Sequence, residues 1–324
     1  MSLTSKLIRL APLAALLAFA SPALAQTSAE LLLKPWDENR LIEGETSAFF
    51  ENNGHVQDDE APGIQLSLYE SFGRLRVLPG EIASPRIGYD VLYLAVDSEN
   101  DVVPEALTDA SVAIGVAVGK FDGWVAGMTL GVGYAGDTPF GEGDAWYGKG
   151  TFAIGKEIKK DQFLGFVIDY DGNRSIFPDV PLPGIFYSFR LDPTIRATLG
   201  VPVCSVTWEP NEHFFAELTL VLPDTFNVRV EYKFCKAFGV FAVYDSRSEA
   251  FHVDDLGGIN RLLFEQERAE AGVRFYPVDN VSIVAAGGYA FDQSFRSGFD
   301  ARESDEVANL SDEPYLRFAV GINY

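Results

Sequence analysis

The 324-residue sequence predicts an all-β fold, a closed antiparallel β-barrel of about 12–14 strands. Three observations predict it. Apolar residues recur with a period of two rather than 3.6. The second face of many strands carries the smallest residues available. Short and long polar links mostly alternate from residue 108 onward, as in a series of hairpins.

Residues 1–25 hold Lys6 and Arg9, the apolar run LAPLAALLAFA, and the small-residue stretch SPALA before Gln26. That is the pattern of a secretory signal peptide, so Sec-dependent export is expected. Residues 26–62 are polar and irregular, with a short helix near AELLLK, and read as an N-terminal periplasmic extension. Segments 64–77 and 86–97 have no clean face, which predicts a bulge or register break. In 110–119, Val112, Ile114, Val116 and Val118 alternate with Ser111, Ala113, Gly115, Ala117 and Gly119. In 124–134, Trp124, Met128, Leu130, Val132 and Tyr134 alternate with Gly127, Thr129, Gly131 and Gly133. The cleanest case is FNVRVEYKF at 226–234, with Asn227, Arg229, Glu231 and Lys233 on one side. Further strands are expected at 146–157, 162–170, 184–191, 195–209, 214–222, 263–276 and 281–291, with a last one in EPYLRFAVGINY. Reading 195–200 and 203–209 as a hairpin gives about fourteen strands. The segment 246–260 reads as a long acidic loop.

An antiparallel sheet with one apolar face must bury that face against a second sheet, a ligand or lipid. Gly, Ala, Ser and Thr on the other face suit a concave interior, where side chains converge. Aromatics near the strand ends match the girdles of a transmembrane barrel: Trp124, Tyr134, Phe226, Phe234 and Tyr324 are the expected membrane-interface residues. Strands of 9–11 residues cross a bilayer's apolar band when tilted. Slipping 226–234 by one residue would drive Arg229 and Lys233 into lipid, at about 2–4 kcal/mol each near the midplane. A secreted soluble β-barrel or sandwich binding an apolar ligand is the competing reading.

Over 63–324 the chain resembles a bacterial outer-membrane β-barrel protein. The resemblance rests on the export signal, the alternating strands, the two link lengths and the terminal strand ending on an aromatic. It implies an outer-membrane location in contact with lipid, and recognition by the barrel-assembly machinery through Leu316, Phe318, Val320, Ile322 and Tyr324. The stretches DVPLPGIFYSFR and ATLGVPVCSVTWEPNEHF are similar to a family of uncharacterised outer-membrane barrels, which brings no activity with it. Counting back from the C-terminus puts the tight turns KFDG, KEIKKD, EPNE, CKA and PVDN on the periplasmic side.

A net charge of −22 disfavours nucleic acid as a partner. The three histidines, His55, His213 and His252, are isolated, and Cys204 and Cys235 form no CxxC, so neither a metal site nor a cofactor is expected. The two cysteines fall at opposite strand ends, too far apart for a disulfide. Acidic loop runs such as DSEND do not match a calcium loop, and no catalytic set emerges, so no enzyme is expected. The candidate lumen-facing residues are Arg190, Arg196, Glu217, Arg229, Glu231, Lys233, Arg268, Glu270, Arg274, Tyr315 and Arg317. They form either a paired network filling the lumen or the lining of a porin-like passive-diffusion pore. Their basic excess implies anion preference if the pore is open.

Overall fold

The computed structural model describes residues 31–32, 41–51, 64–78, 84–97, 103–201, 203–221, 225–256 and 260–324. The expected signal peptide, 1–25, lies outside them. The strands are β1 (Ile42–Glu51), β2 (Gln65–Arg76), β3 (Arg86–Asp97), β4 (Ala106–Phe121), β5 (Trp124–Gly136) and β6 (Trp146–Lys159). There follow β7 (Gln162–Asp171), β8 (Leu182–Asp192), β9 (Ile195–Val201), β10 (Val203–Asn211), β11 (Phe214–Val221) and β12 (Thr225–Lys233). The chain ends with β13 (Phe238–His252), β14 (Arg261–Val278), β15 (Val281–Asp300), β16 (Glu303–Leu310) and β17 (Glu313–Asn323). No helix among the described residues is long and apolar enough to cross a membrane.

From β1 to β16 each strand pairs antiparallel with its sequence neighbour, and β17, which pairs with β15, also pairs with β1 to close the ring. β16 and β17 pair successively along β15, β16 with its distal part and β17 from Val281 to Ala290, so together they make one wall strand. The barrel therefore has sixteen strands. That exceeds the 12–14 expected, because two strands escaped the pattern. β1 lies within the supposed extension 26–62, so the wall begins at Ile42 rather than near 63. β13 covers Phe238–His252, the first part of the supposed loop 246–260. Hairpin β9/β10 pairs Ser205 with Thr198 and Thr207 with Arg196, so the 195–209 segment is two strands.

The outward face is greasy. Val112, Ile114, Leu130, Phe166, Ile168, Ile283, Leu316, Phe318 and Val320 are all exposed on it. Such a belt is disfavoured in water and favoured in lipid. The expected break in β2 and β3 is absent: their register runs unbroken from Gln65↔Asp97 to Arg76↔Arg86. Their faces look ambiguous in sequence because their inward positions change character partway. Leu66 and Leu68 give way to Glu70, Phe72, Arg74 and Arg76 on one face of β2. Leu92 and Leu94 on β3 likewise share their inward face with Asp90 and Arg86.

That change divides the interior in two. Toward the end carrying the longer links, a dry cluster fills the lumen: Phe49, Leu66, Leu68, Leu92, Leu94, Leu107, Phe251, Leu262, Phe264, Phe295 and Leu310 are all buried in it. Toward the end carrying Tyr324 and the tight turns, charged side chains line a cavity. Gly115 and Gly127, on the small face of β4 and β5, leave room for Leu31 and Leu32. Leu31 and Leu32, which are helical, lie inside the lumen against β3–β5. Arg86 Nη1 donates to the Leu31 carbonyl at 2.9 Å. A Cβ on Gly127 would come within 2.9 Å of Leu32 Cδ2, so glycine there makes room for that side chain.

Candidate functional site: a charged vestibule beneath a sealed outer mouth

The outer seal has three parts. The first is the apolar cluster. At about 25 cal/mol per Å² of apolar surface, each large side chain buried in it contributes roughly 1.5–3 kcal/mol. The second is contact between opposite walls. β5 and β13 stand eight places apart in the sixteen-strand ring, yet His252 bridges to Gly136, so the barrel is pinched at this end. The third is the link between β7 and β8, whose residues Asn173, Arg174 and Ser175 are buried in the mouth.

That link is a polar strut across the barrel. Asn173 Nδ2 donates to Asp109 Oδ2 of β4 at 3.1 Å and to the Ala250 carbonyl of β13 at 2.8 Å. Arg261 of β14 donates to Asn173 Oδ1 at 3.3 Å and to the Arg174 carbonyl at 3.0 Å. The Ala301 amide reaches the Ser175 carbonyl at 2.9 Å. Arg174 is tied back to its own wall by an ion pair with Asp169 at 2.8 Å. Buried polar backbone is tolerated here because partners satisfy it.

Below the seal lies a cavity of ≈ 460 Å³ reaching the tight-turn rim at Asn280 and Asn323. Six basic residues line it: Arg74, Arg229, Lys233, Arg268, Arg274 and Arg317. Among the acids lining it are Glu43, Glu45, Glu70, Asp90, Glu217, Asp245 and Glu270. Ion pairs form both between cross-strand neighbours and across the lumen between strands that do not pair. Arg268 holds Asp245 at 2.7 Å, Arg247 holds Glu70 at 2.5 Å, and Arg74 holds Glu43 at 2.8 Å. Arg317 spans Glu270 at 2.7 Å and Glu45 at 3.2 Å, and Arg274 reaches Glu45 at 3.4 Å. Arg229 pairs with Glu231, which also accepts from the Tyr276 hydroxyl at 2.7 Å. Tyr315 donates to Glu270 at 3.2 Å while its ring packs on Phe49 at 4.1 Å. The Arg268 guanidinium lies 5.5 Å from the Phe49 ring centre. Arg268 and Phe49 thus mark the boundary between charged floor and apolar seal.

Seven of the eleven candidate lumen residues line this cavity: Glu217, Arg229, Lys233, Arg268, Glu270, Arg274 and Arg317. Glu231 and Tyr315 are buried behind their partners. Arg190 and Arg196 pair with each other across β8 and β9 and are not part of the cavity lining. The sequence reading missed most of the acids and two arginines beside them. Glu43 and Glu45 belong to β1, Asp245 and Arg247 to β13, and Glu70, Arg74 and Asp90 to β2 and β3. With them present, the basic excess vanishes and the anion preference inferred from it loses its footing. One signal could have revealed β13. The gap between 234 and 263 is far longer than an ordinary hairpin link.

The interface aromatics divide. Phe234 and Tyr324 are exposed, and Phe226 is half-buried against Tyr244. Trp124 is half-buried on the outward face, stacked on Phe166. Tyr134 corrects the expectation. It is fully buried, covered by Phe140 and Trp146, and its hydroxyl is taken up by the Thr138 carbonyl. The link after β5 folds back over it, and Phe140 and Trp146 are exposed in its place. Cys204 and Cys235 are both free.

Closed sixteen-strand ring, apolar belt and polar interior together define an integral outer-membrane β-barrel. Solved structures of that class align over most of the chain. The Pseudomonas putida toluene transporter TodX matches at 10% identity and a TM-score of 0.40, covering 95% of each chain. The Acinetobacter baumannii outer membrane protein Omp33 matches at 7% identity and a TM-score of 0.36, over 89% of this chain and all, 100%, of its own. The NanC porin matches at 9% identity and a TM-score of 0.31, over 87% of this chain and 100% of its own. At these TM-scores the likenesses assign nothing to this chain, and the barrel rests on its own strand pairing. No family model matches the chain, and no curated protein matches its sequence.

Proposed function

We propose that this outer-membrane barrel serves porin-like passive diffusion of small solutes, with the apolar outer half of its lumen as the gate. The observation that carries the reading is the division of the interior. A charged, periplasm-facing cavity of ≈ 460 Å³ ends at a dry seal built on Phe49, Phe251, Phe264 and Phe295. Hydrophobic constrictions block permeation by excluding water, and wetting opens them. A filled lumen whose ion pairs serve only barrel integrity is the second reading, favoured by the strut at Asn173–Ser175. Neither reading requires catalysis or a cofactor. The experiment is single-channel recording in planar bilayers. Wild type should show brief, rare openings, and Phe264→Ser with Phe295→Ser should raise the open fraction. Silence from both proteins, with folding verified by heat-modifiable gel mobility, sinks the diffusion reading and leaves the structural one.

We further propose that residues 1–25 direct export, that β17 is read by the barrel-assembly machinery, and that the narrower kinship lies with the uncharacterised outer-membrane barrels. The strand supports the second point: Leu316, Phe318, Val320, Ile322 and Tyr324 share its exposed face.

A further inference from the structure

We propose that the vestibule is a binding site for a small oxyanion, a carboxylate or phosphate entering from the periplasmic side. The inference goes beyond passive diffusion and rests on the arginines' remaining donors. A guanidinium carries five N–H groups, and a single carboxylate uses two or three of them. Arg268 is 5% exposed, with Nε and Nη2 committed to Asp245, while its Nη1 has no hydrogen-bond partner in the protein. Arg274 is 8% exposed, with Nη1 shared between Glu45 and Ser282, and its Nε lies 3.8 Å from Glu231 Oε2 without a hydrogen bond. Both side chains line the same cavity. Their carboxylate partners are already satisfied: Asp245 by Arg268, Glu45 by Arg317 and Arg274, Glu270 by Arg317 and Tyr315. The groups left over around these pairs are donors, which is what an oxyanion recognises, while the charge of the lining as a whole is balanced by its acids.

The location strengthens the recognition. Arg268 stands at the closed end of the cavity, its guanidinium over the Phe49 ring. A charge met there is screened less than at the open rim, so a charged hydrogen bond is worth more. The volume is in the range of small-molecule sites. Leu31 forms part of the wall, so the N-terminal segment narrows the site.

Isothermal titration calorimetry on the full, detergent-folded chain tests this, with succinate, inorganic phosphate and the neutral isostere succinamide as probes. Saturable heat from succinate or phosphate but not from succinamide is expected, and which anion binds tighter assigns the source. The paired variant Arg268→Gln with Asp245→Asn avoids a stranded buried carboxylate and should weaken binding about tenfold or more. Should that pair not fold, Arg274→Gln reads the same site, because Glu45 keeps Arg317 and Glu231 keeps Arg229. Arg302→Gln, at the outer end and outside the cavity, should bind like wild type. Equal binding of succinamide, no saturable heat with any probe, or undiminished binding by the lumen variants overturns the proposal. Calorimetry is independent of conductance, so that failure leaves the diffusion reading standing.

Discussion

Replacing Phe318 by arginine tests which face of the terminal strand meets lipid. β17 has eleven residues, and Phe318 is the sixth. At about 3.3 Å per residue and a tilt near 40°, the strand rises roughly 25 Å, so its sixth residue lies near the bilayer midplane. Phe318 is 54% exposed and faces outward, between inward Arg317 and Ala319. A basic residue on the lipid face at that depth costs about 2–4 kcal/mol. The neighbouring inward position gives the contrast. Ala319→Ser adds a hydroxyl toward the lumen, where Ser47 already faces it from β1, and should cost less than about 1 kcal/mol. The assay is urea unfolding of the barrel in phosphatidylcholine vesicles, read by tryptophan fluorescence. Wild-type stability for Phe318→Arg, or a larger loss for Ala319→Ser, would refute both the register and the membrane reading.

The strut and the seal carry their own tests. Arg174→Ala strands Asp169, which is 4% exposed, and should destabilise by about 3–5 kcal/mol, whereas Arg174→Gln with Asp169→Asn should recover most of that in the same unfolding assay. Phe264→Ala empties a fully buried site in the outer seal and should cost about 3–5 kcal/mol, with faster small-solute flux in a liposome-swelling assay. Outside the membrane, burial and then the hydrogen bonding and charge of Asp137 push the Glu142 carboxyl up to about 7. A carboxyl so raised favours the folded link while protonated. That contribution is complete below the unfolded value of 4.5 and is lost as pH rises through about 7. Proteolysis within 137–145 should therefore accelerate from about pH 5 to about pH 8, and Glu142→Gln should flatten the profile. The exposed thiol of Cys235, at the tight-turn end, should react with an impermeant maleimide only after the outer membrane is permeabilised; labelling in intact cells would invert the topology.

The parts of this fold that were legible in sequence are those where the lumen is polar. On β12 the sides are apolar and polar without exception from Phe226 to Lys233, and there the alternation fixes register and direction together. Where the lumen turns apolar the signal fails for a physical reason. Leu66, Leu68, Leu92 and Leu94 face inward with Leu107 and Phe251, and on β3 Val91, Tyr93 and Ala95 face the other way, so that strand is greasy on both faces in the outer half; on β13 the outward residues there are Ser246, Ser248 and Ala250 instead, against inward Arg247, Glu249 and Phe251. A period-two pattern needs two chemically different surroundings, and here lipid and lumen are alike. β1 fails differently: its Glu43 and Glu45 read as an acidic extension because their arginine partners, Arg74, Arg274 and Arg317, stand elsewhere in the sequence. The cavity was illegible for the same reason, since its charge balance depends on pairs up to 272 residues apart. The blurring of the pattern is itself informative. A barrel that conducted freely would keep its inward face polar along the whole strand, whereas the apolar outer half of the inward face on β2, β3 and β14 marks where this lumen is closed. Strand segments with a clean charged face and segments greasy on both faces thus map the vestibule and its seal.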